Sequence, residues 1–210
     1  MSKPTKILSV DFQKEFAAPE GLWFNPGESV GFIKHTLVPF LRENHIRIAE
    51  IISDYRQPRL RDTGDGCHPG QPGYESEIPG DVKQGVWIKC MNSPIWIREN
   101  IGDGSAPPGV PYQAPALFTA WLNDTVGKPA DVGWLVLIGL TVDWCVHCTA
   151  QELWWRGYDV RILKEGTDAV GGDPLYKEQL LTQSPVLNWA KPVVWDDLKA
   201  RLLAERKDEH

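Results

Sequence analysis

Residues Gly133 to Gly166 read GWLVLIGLTVDWCVHCTAQELWWRGYDVRILKEG, and the way this stretch folds decides the architecture of the chain. Gly133–Thr141 is an almost unbroken apolar run, as a strand covered on both faces requires. Trp144–Arg156 reads as a helix. Gly157 is a fitting stop for it, because glycine accepts the left-handed conformation at a helix C-terminus. Tyr158–Gly166 then reads as a second strand. Strand, helix and strand of these lengths form a crossover unit, which joins parallel neighbours in a sheet.

The same alternation continues in both directions. Thr5–Phe12 (TKILSVDF) is a strand ending in an acid. Glu28–Asn44 has helical spacing, with Val30, Ile33, Leu37 and Leu41 on one side, and Pro39 inside it predicts a kink or a break. Ile46–Asp54 fits strand or helix by period; its β-branched content and its place after a helix favour strand. Gly85–Cys90 is a further strand and Ala116–Val126 a helix. Downstream follow a helix at Leu175–Gln183, a short strand at Pro192–Trp195 and a closing helix at Asp196–Arg206. Two Gly- and Pro-rich stretches, Tyr55–Gly80 and Gly102–Pro115, are long enough to cover a site. The pattern predicts one domain over residues 1–210: a doubly wound, mainly parallel six-stranded α/β sheet with helices on both faces, a Rossmann-like three-layer sandwich.

A chain of 210 residues buries a substantial core without staples. Its net charge of −6 and lack of a basic cluster argue against nucleic acid or an anionic membrane as partner. No apolar run is long enough to span a bilayer, and Thr5–Val10 already reads as a strand where a signal core would stand. The expectation is a cytoplasmic protein whose four cysteines, Cys67, Cys90, Cys145 and Cys148, are reduced. The ten tryptophans are first of all core and interface residues.

Ligands of open α/β sheets bind just outside the carboxyl ends of the strands. Those ends carry Asp11, Asp54, Lys89 and Thr141, the last followed by Cys145. Lys89 stands among apolar residues in VWIKC. Lysine is almost never fully buried unless paired, so it either snorkels to water at the strand end or is held by a carboxylate, for which Asp11 is the candidate. Asp11 taken alone could equally cap a turn. If Asp143 caps the following helix, Cys145 falls at its second position, where free N–H groups, the helix dipole and a nearby Lys89 would favour a thiolate. The same N–H groups could hold an oxyanion. Read by itself, the segment also fits an inert cysteine packed under the sheet.

Cys145 and Cys148 also spell the Trp-Cys-x-x-Cys of thiol–disulfide oxidoreductases. Those proteins place the motif after the first strand of a small domain, and they call for no lysine in a third strand. GDGCHPG (Gly64–Gly70) lacks the glycine spacing of a dinucleotide fingerprint, and no phosphate loop occurs. A zinc site from Cys67, His68, Cys145 and Cys148 would consume the candidate nucleophile.

At ILSVDFQKEF, VWIKCMNSPIW and LIGLTVDWCVHCTAQELWWRGYDVRILKEGTDAV the chain resembles the isochorismatase-like cysteine hydrolases, which include nicotinamidases and N-carbamoyl amide hydrolases. The resemblance covers most of the chain, in order and spacing. It implies Asp11 as general base, Lys89 as the lysine and Cys145 as the nucleophile. It also implies a cis peptide at Leu140–Thr141 that helps form an oxyanion hole with the N–H groups of Thr141 and Cys145. Gln13 and Phe16 match positions that shape the pocket, and Trp23, Phe24, Trp87, Trp96 and Trp144 suggest a partly apolar one, completed by a neighbouring subunit of a homo-oligomer, dimer or tetramer. The chain departs from the nicotinamidases at their metal site, because Arg56 stands where the first histidine would. One histidine, His68, with one carboxylate is a poor metal site, so no metal and no other cofactor is expected. Arg56, Arg59 or Arg61 could bind a substrate carboxylate, with at least two of them expected on the solvated surface. Relatives that cleave isochorismate's vinyl ether lack the cysteine, so the resemblance implies C–N hydrolysis of a small amide or ureide.

Overall fold

The computed structural model describes residues 3–207. Six strands form one sheet: β1 (Lys6–Val10), β2 (Ile48–Ser53), β3 (Lys83–Lys89), β4 (Trp134–Leu140), β5 (Asp159–Asp168) and β6 (Lys191–Val193). Their order is β3-β2-β1-β4-β5-β6, and every neighbouring pair is parallel. The chain winds outward from β1 through β2 and β3, then returns to lay β4 on the other side of β1. The topological switch point therefore lies between β1 and β4, where this class of sheet opens a crevice at the strand ends.

Five helices cover the sheet: α1 (residues 29–43), α2 (Pro115–Thr125), α3 (Cys145–Trp155), α4 (Pro174–Gln183) and α5 (Trp195–Lys207). Alternation along the strands divides the core into two layers. Leu8, Val10, Leu135 and Leu137 face a layer built with Phe118 and Leu122 of α2, Val146, Ala150 and Leu153 of α3, and Leu181 of α4. Ile7, Val136 and Ile138 face the opposite layer, with Ile33, Leu37 and Leu41 of α1 and Leu198 and Leu202 of α5. β4 is thus apolar on both sides because it is covered on both sides. No helix among the described residues is long and apolar enough to cross a membrane.

Pro39 neither breaks nor sharply ends α1. A π-helical turn at Ile33–Leu37 precedes it, closed by the Val38 N–H donating to Ile33 O. Proline has no N–H to return to His35 O, and the wider turn takes up that missing bond. Ile33, Leu37 and Leu41 all stay fully buried. Gly157 adopts φ 89° directly after α3, as its role as a stop requires.

Candidate active site

β1, β2, β3 and β4 end at nearly the same level, since Val10 pairs with both Ile51 and Gly139, and Ser53 with Lys89. The residues at or just past those ends, Asp11, Ser53, Lys89 and Cys145, are consequently brought together. Asp11 and Lys89 are 0% exposed and Cys145 is 6% exposed. Lys89 Nζ donates to Asp11 Oδ2 at 2.8 Å and to Ser53 Oγ at 2.8 Å. Ser53 Oγ donates to Asp11 Oδ1 at 2.7 Å. Lys89 Nζ also donates to the Tyr55 hydroxyl and lies 3.5 Å from Cys145 Sγ. Lys89 therefore does not snorkel; it is the buried cation of a closed polar cluster, as the cost of an unpaired buried charge demands.

Burial alone would lower the Lys89 ammonium, but the Asp11 carboxylate and the Cys145 sulfur outweigh it and hold Lys89 above its usual value. The expectation of a lowered Cys145 thiol is overturned. Burial pushes the thiol up to about 12, and the attraction of Lys89 offsets only part of this, because the Asp11 charge opposes it.

The backbone next to Cys145 also departs from expectation. Trp144, not Asp143, is the residue before the first turn of α3, and Cys145 opens the helix. The Asp143 carboxylate instead accepts from the Val170 N–H at 3.1 Å, tying the α3 entry to the loop after β5. As the first helical residue, Cys145 has an N–H with no partner inside the helix. The Leu140–Thr141 peptide bond is cis, and Gly139 just before it has φ 106°. A β-carbon there would collide with Val10 O.

Above Cys145 opens a cavity of about 570 Å³. Phe16, Trp23, Phe24 and Trp144 form its apolar walls, Leu140 and Thr141 flank the sulfur, and Arg59, Asp62 and Asn92 supply polar groups. Phe16 stacks on Trp23, with centroids 5.6 Å apart, and both meet the Tyr55 ring edge-on. Trp87, by contrast, packs against Phe118 and Trp121, away from this cavity, and Trp96 lies in a two-residue ribbon with Gln113.

Gln13 is not a wall of the cavity. Its amide is fully occupied by backbone, donating to Ser53 O and Tyr74 O at 3.0 and 2.9 Å and accepting from the Ser53 N–H at 2.7 Å. It holds Ser53 in place beneath Asp11. Arg56 is also withdrawn from substrate. Its guanidinium forks onto Asp54 at 2.9 and 2.7 Å and donates to the carbonyls of Asn100, Asp103 and Ala106. Arg59 is buried as well, paired with Asp62 at 2.7 Å. Only Arg61 of the three lies on the surface. Two of these arginines are buried because the irregular 55–66 and 98–106 segments expose many carbonyls that need donors.

The donor set does not fit a metal. Asp54, the acid after β2, is taken by Arg56 and by the Gly102 N–H at 2.9 Å. His68 is paired with Asp65 at 2.9 Å. Among the described residues, no three or more His, Cys, Asp or Glu side chains converge. Cys145 and Cys148 are both free thiols.

Three residues of the cluster were not singled out in the sequence: Ser53, Tyr55 and Asn92. Strand alternation carries a signal for two of them. Ser53 and Tyr55 are two apart and share a face, while Asp54 points away to Arg56.

This architecture recurs in solved structures. The zinc-bound pyrazinamidase of Pyrococcus horikoshii superposes with a TM-score of 0.61 at 18% identity, covering 91% of this chain and 99% of that one. A cysteine hydrolase from Pseudomonas syringae gives 0.64 at 17% identity, over 95% and 92% of the two chains. The N-carbamoylsarcosine amidase of Thermoplasma acidophilum gives 0.57 at 19% identity, over 90% and 95%. No family model matches the sequence, and no curated protein matches it. The chain has the isochorismatase-like α/β fold, a three-layer sandwich with its crevice at the β1–β4 switch point. Many of the solved structures that share it are isochorismatase-like hydrolases, nicotinamidases and an N-carbamoylsarcosine amidase among them.

Proposed function

We propose that the protein is a cysteine-dependent hydrolase that cleaves a C–N bond of a small amide or carbamoyl compound through a thioester on Cys145. The observation that carries this reading is the joint burial of Asp11, Lys89 and Cys145 in one hydrogen-bonded cluster at the base of the cavity. Asp11 takes the thiol proton as sulfur attacks the carbonyl carbon. The site then holds a thiolate, a neutral carboxyl and the Lys89 ammonium, so its net charge is unchanged and the cost of ionising a buried thiol falls. The oxyanion is received by the N–H groups of Thr141 and Cys145. Asp11 returns the proton to the leaving nitrogen, then activates the water that splits the thioester.

The walls favour a neutral substrate with a flat apolar group. Five aromatic side chains line the cavity, and the one arginine there has its charge matched by Asp62 and donates to Cys90 O and Gly64 O. A screen of neutral amides and ureides, read by ammonia release, tests the reading. Cys145→Ala is expected to abolish the activity found; full activity in that variant refutes it.

A further inference from the structure

Lys89 has four acceptors within reach of its ammonium. An ammonium has three donors and no acceptor. Lys89 aims them at Asp11 Oδ2, Ser53 Oγ and the Tyr55 hydroxyl. Ser53 gives its own proton to Asp11 Oδ1, so toward Lys89 it can only accept. Cys145 Sγ, 3.5 Å from Nζ, is the fourth and longest of these contacts, one more than an ammonium has protons for. The hydroxyl of Tyr55 stands closer to the sulfur than the ammonium does. Its oxygen accepts from Lys89, and its O–H stands 3.2 Å from Cys145 Sγ, against 3.4 Å to Asn92 Oδ1.

We propose that Tyr55 is a catalytic residue of this site. Its hydroxyl donates the hydrogen bond that stabilises the Cys145 sulfur as it becomes a thiolate, and Lys89 acts on the sulfur partly by aiming that hydroxyl. The proposal rests on Cys145 being the nucleophile. Tyr55 keeps its proton throughout. The thiol proton passes to Asp11, the electron pair left on sulfur forms the bond to the carbonyl carbon, and the tyrosine bond strengthens because its acceptor gains charge. Burial holds the phenol well above its usual range. Packing fixes its direction: the ring is wedged by Phe16 and Trp23, and the Arg59 guanidinium lies 3.9 Å from its centroid.

Tyr55→Phe removes the hydroxyl and keeps those ring contacts. The test is the rate of Cys145 alkylation by iodoacetamide between pH 6 and 10, followed on the Cys145 peptide by mass spectrometry in the full-length protein. This measurement needs no substrate. The expected result is alkylation slowed about tenfold at each pH, equivalent to about one pKa unit on the thiol. A profile that coincides with the parent's, or is faster, overturns the proposal. Should Tyr55→Phe not fold, 3,5-difluorotyrosine at position 55 serves instead: its more acidic hydroxyl should speed alkylation, and an unchanged or slower rate overturns the proposal. Failure of the hydrolase reading shows separately, as ammonia release that survives Cys145→Ala.

Discussion

Replacing Lys89 by methionine keeps the length of the side chain and removes only its charge and three donors. In the parent those donors meet Asp11, Ser53 and Tyr55 with no water-exposed surface on either Lys89 or Asp11. After Lys89→Met the Asp11 carboxylate keeps its bond from Ser53 but loses the only cation among the described residues within salt-bridge distance. Breaking a buried pair by removing one partner costs about 3–5 kcal/mol, because the other charge stays buried and uncompensated. For a chain of this size that corresponds to a fall in melting temperature of roughly 6–20 °C. The double variant Asp11→Asn/Lys89→Met lacks the stranded charge and should recover about 1–3 kcal/mol of the summed single losses. Urea unfolding of the four proteins measures both quantities. A single-variant loss below about 1 kcal/mol, the level of an ordinary substitution, or strict additivity of the pair, would refute the argument.

The sign of the pH dependence follows from the same pair. Lys89 is held above its usual value of 10.5 in the folded chain. A raised folded value means the folded state binds its proton more tightly than the unfolded chain does. The contribution of Lys89 is therefore fully present below about pH 10.5 and is lost as pH rises through the folded value. The stability gap between parent and Lys89→Met should stay level from neutrality to that point and narrow above it. A gap that widened there would contradict the assignment.

Two further outcomes follow from the geometry. Gly139→Ala should lower stability by about 3 kcal/mol or more in urea unfolding, since it imposes positive φ on a side chain and drives its β-carbon into Val10 O; an unchanged midpoint would mean that the β1–β4 contact yields easily. Dialysis against a chelator should leave ammonia release unchanged, because the Asp54 carboxylate is already matched by the Arg56 fork; activity lost to the chelator and restored by zinc would refute that.

The fold was legible because its signals are periodic and local. The apolar run at Gly133–Thr141, the glycine at 157 and the strand ends at Asp11, Lys89 and Thr141 each carry their meaning within a few residues, and parallel register then levels those ends. What the sequence did not show depends on three dimensions. The fates of Arg56 and Arg59 turn on which carbonyls two irregular loops leave bare, and nothing in the spacing of YRQPRLRD ranks a buried arginine above an exposed one. The Cys145 thiol was expected to be lowered by the helix start and by Lys89, yet burial outweighs the attraction of Lys89. That reversal changes how the cysteine has to work. A thiolate standing ready at rest would need little from its neighbours. In the proposed hydrolase reading a buried thiol is ionised as it reacts, with Asp11 accepting the proton and a donor meeting the new charge on sulfur. The Tyr55 hydroxyl is nearer the sulfur than the Lys89 ammonium, at 3.2 Å against 3.5 Å. The role proposed for Tyr55, next to the acid that points the other way, rests on contacts with Lys89 and Cys145 that only the folded chain brings together.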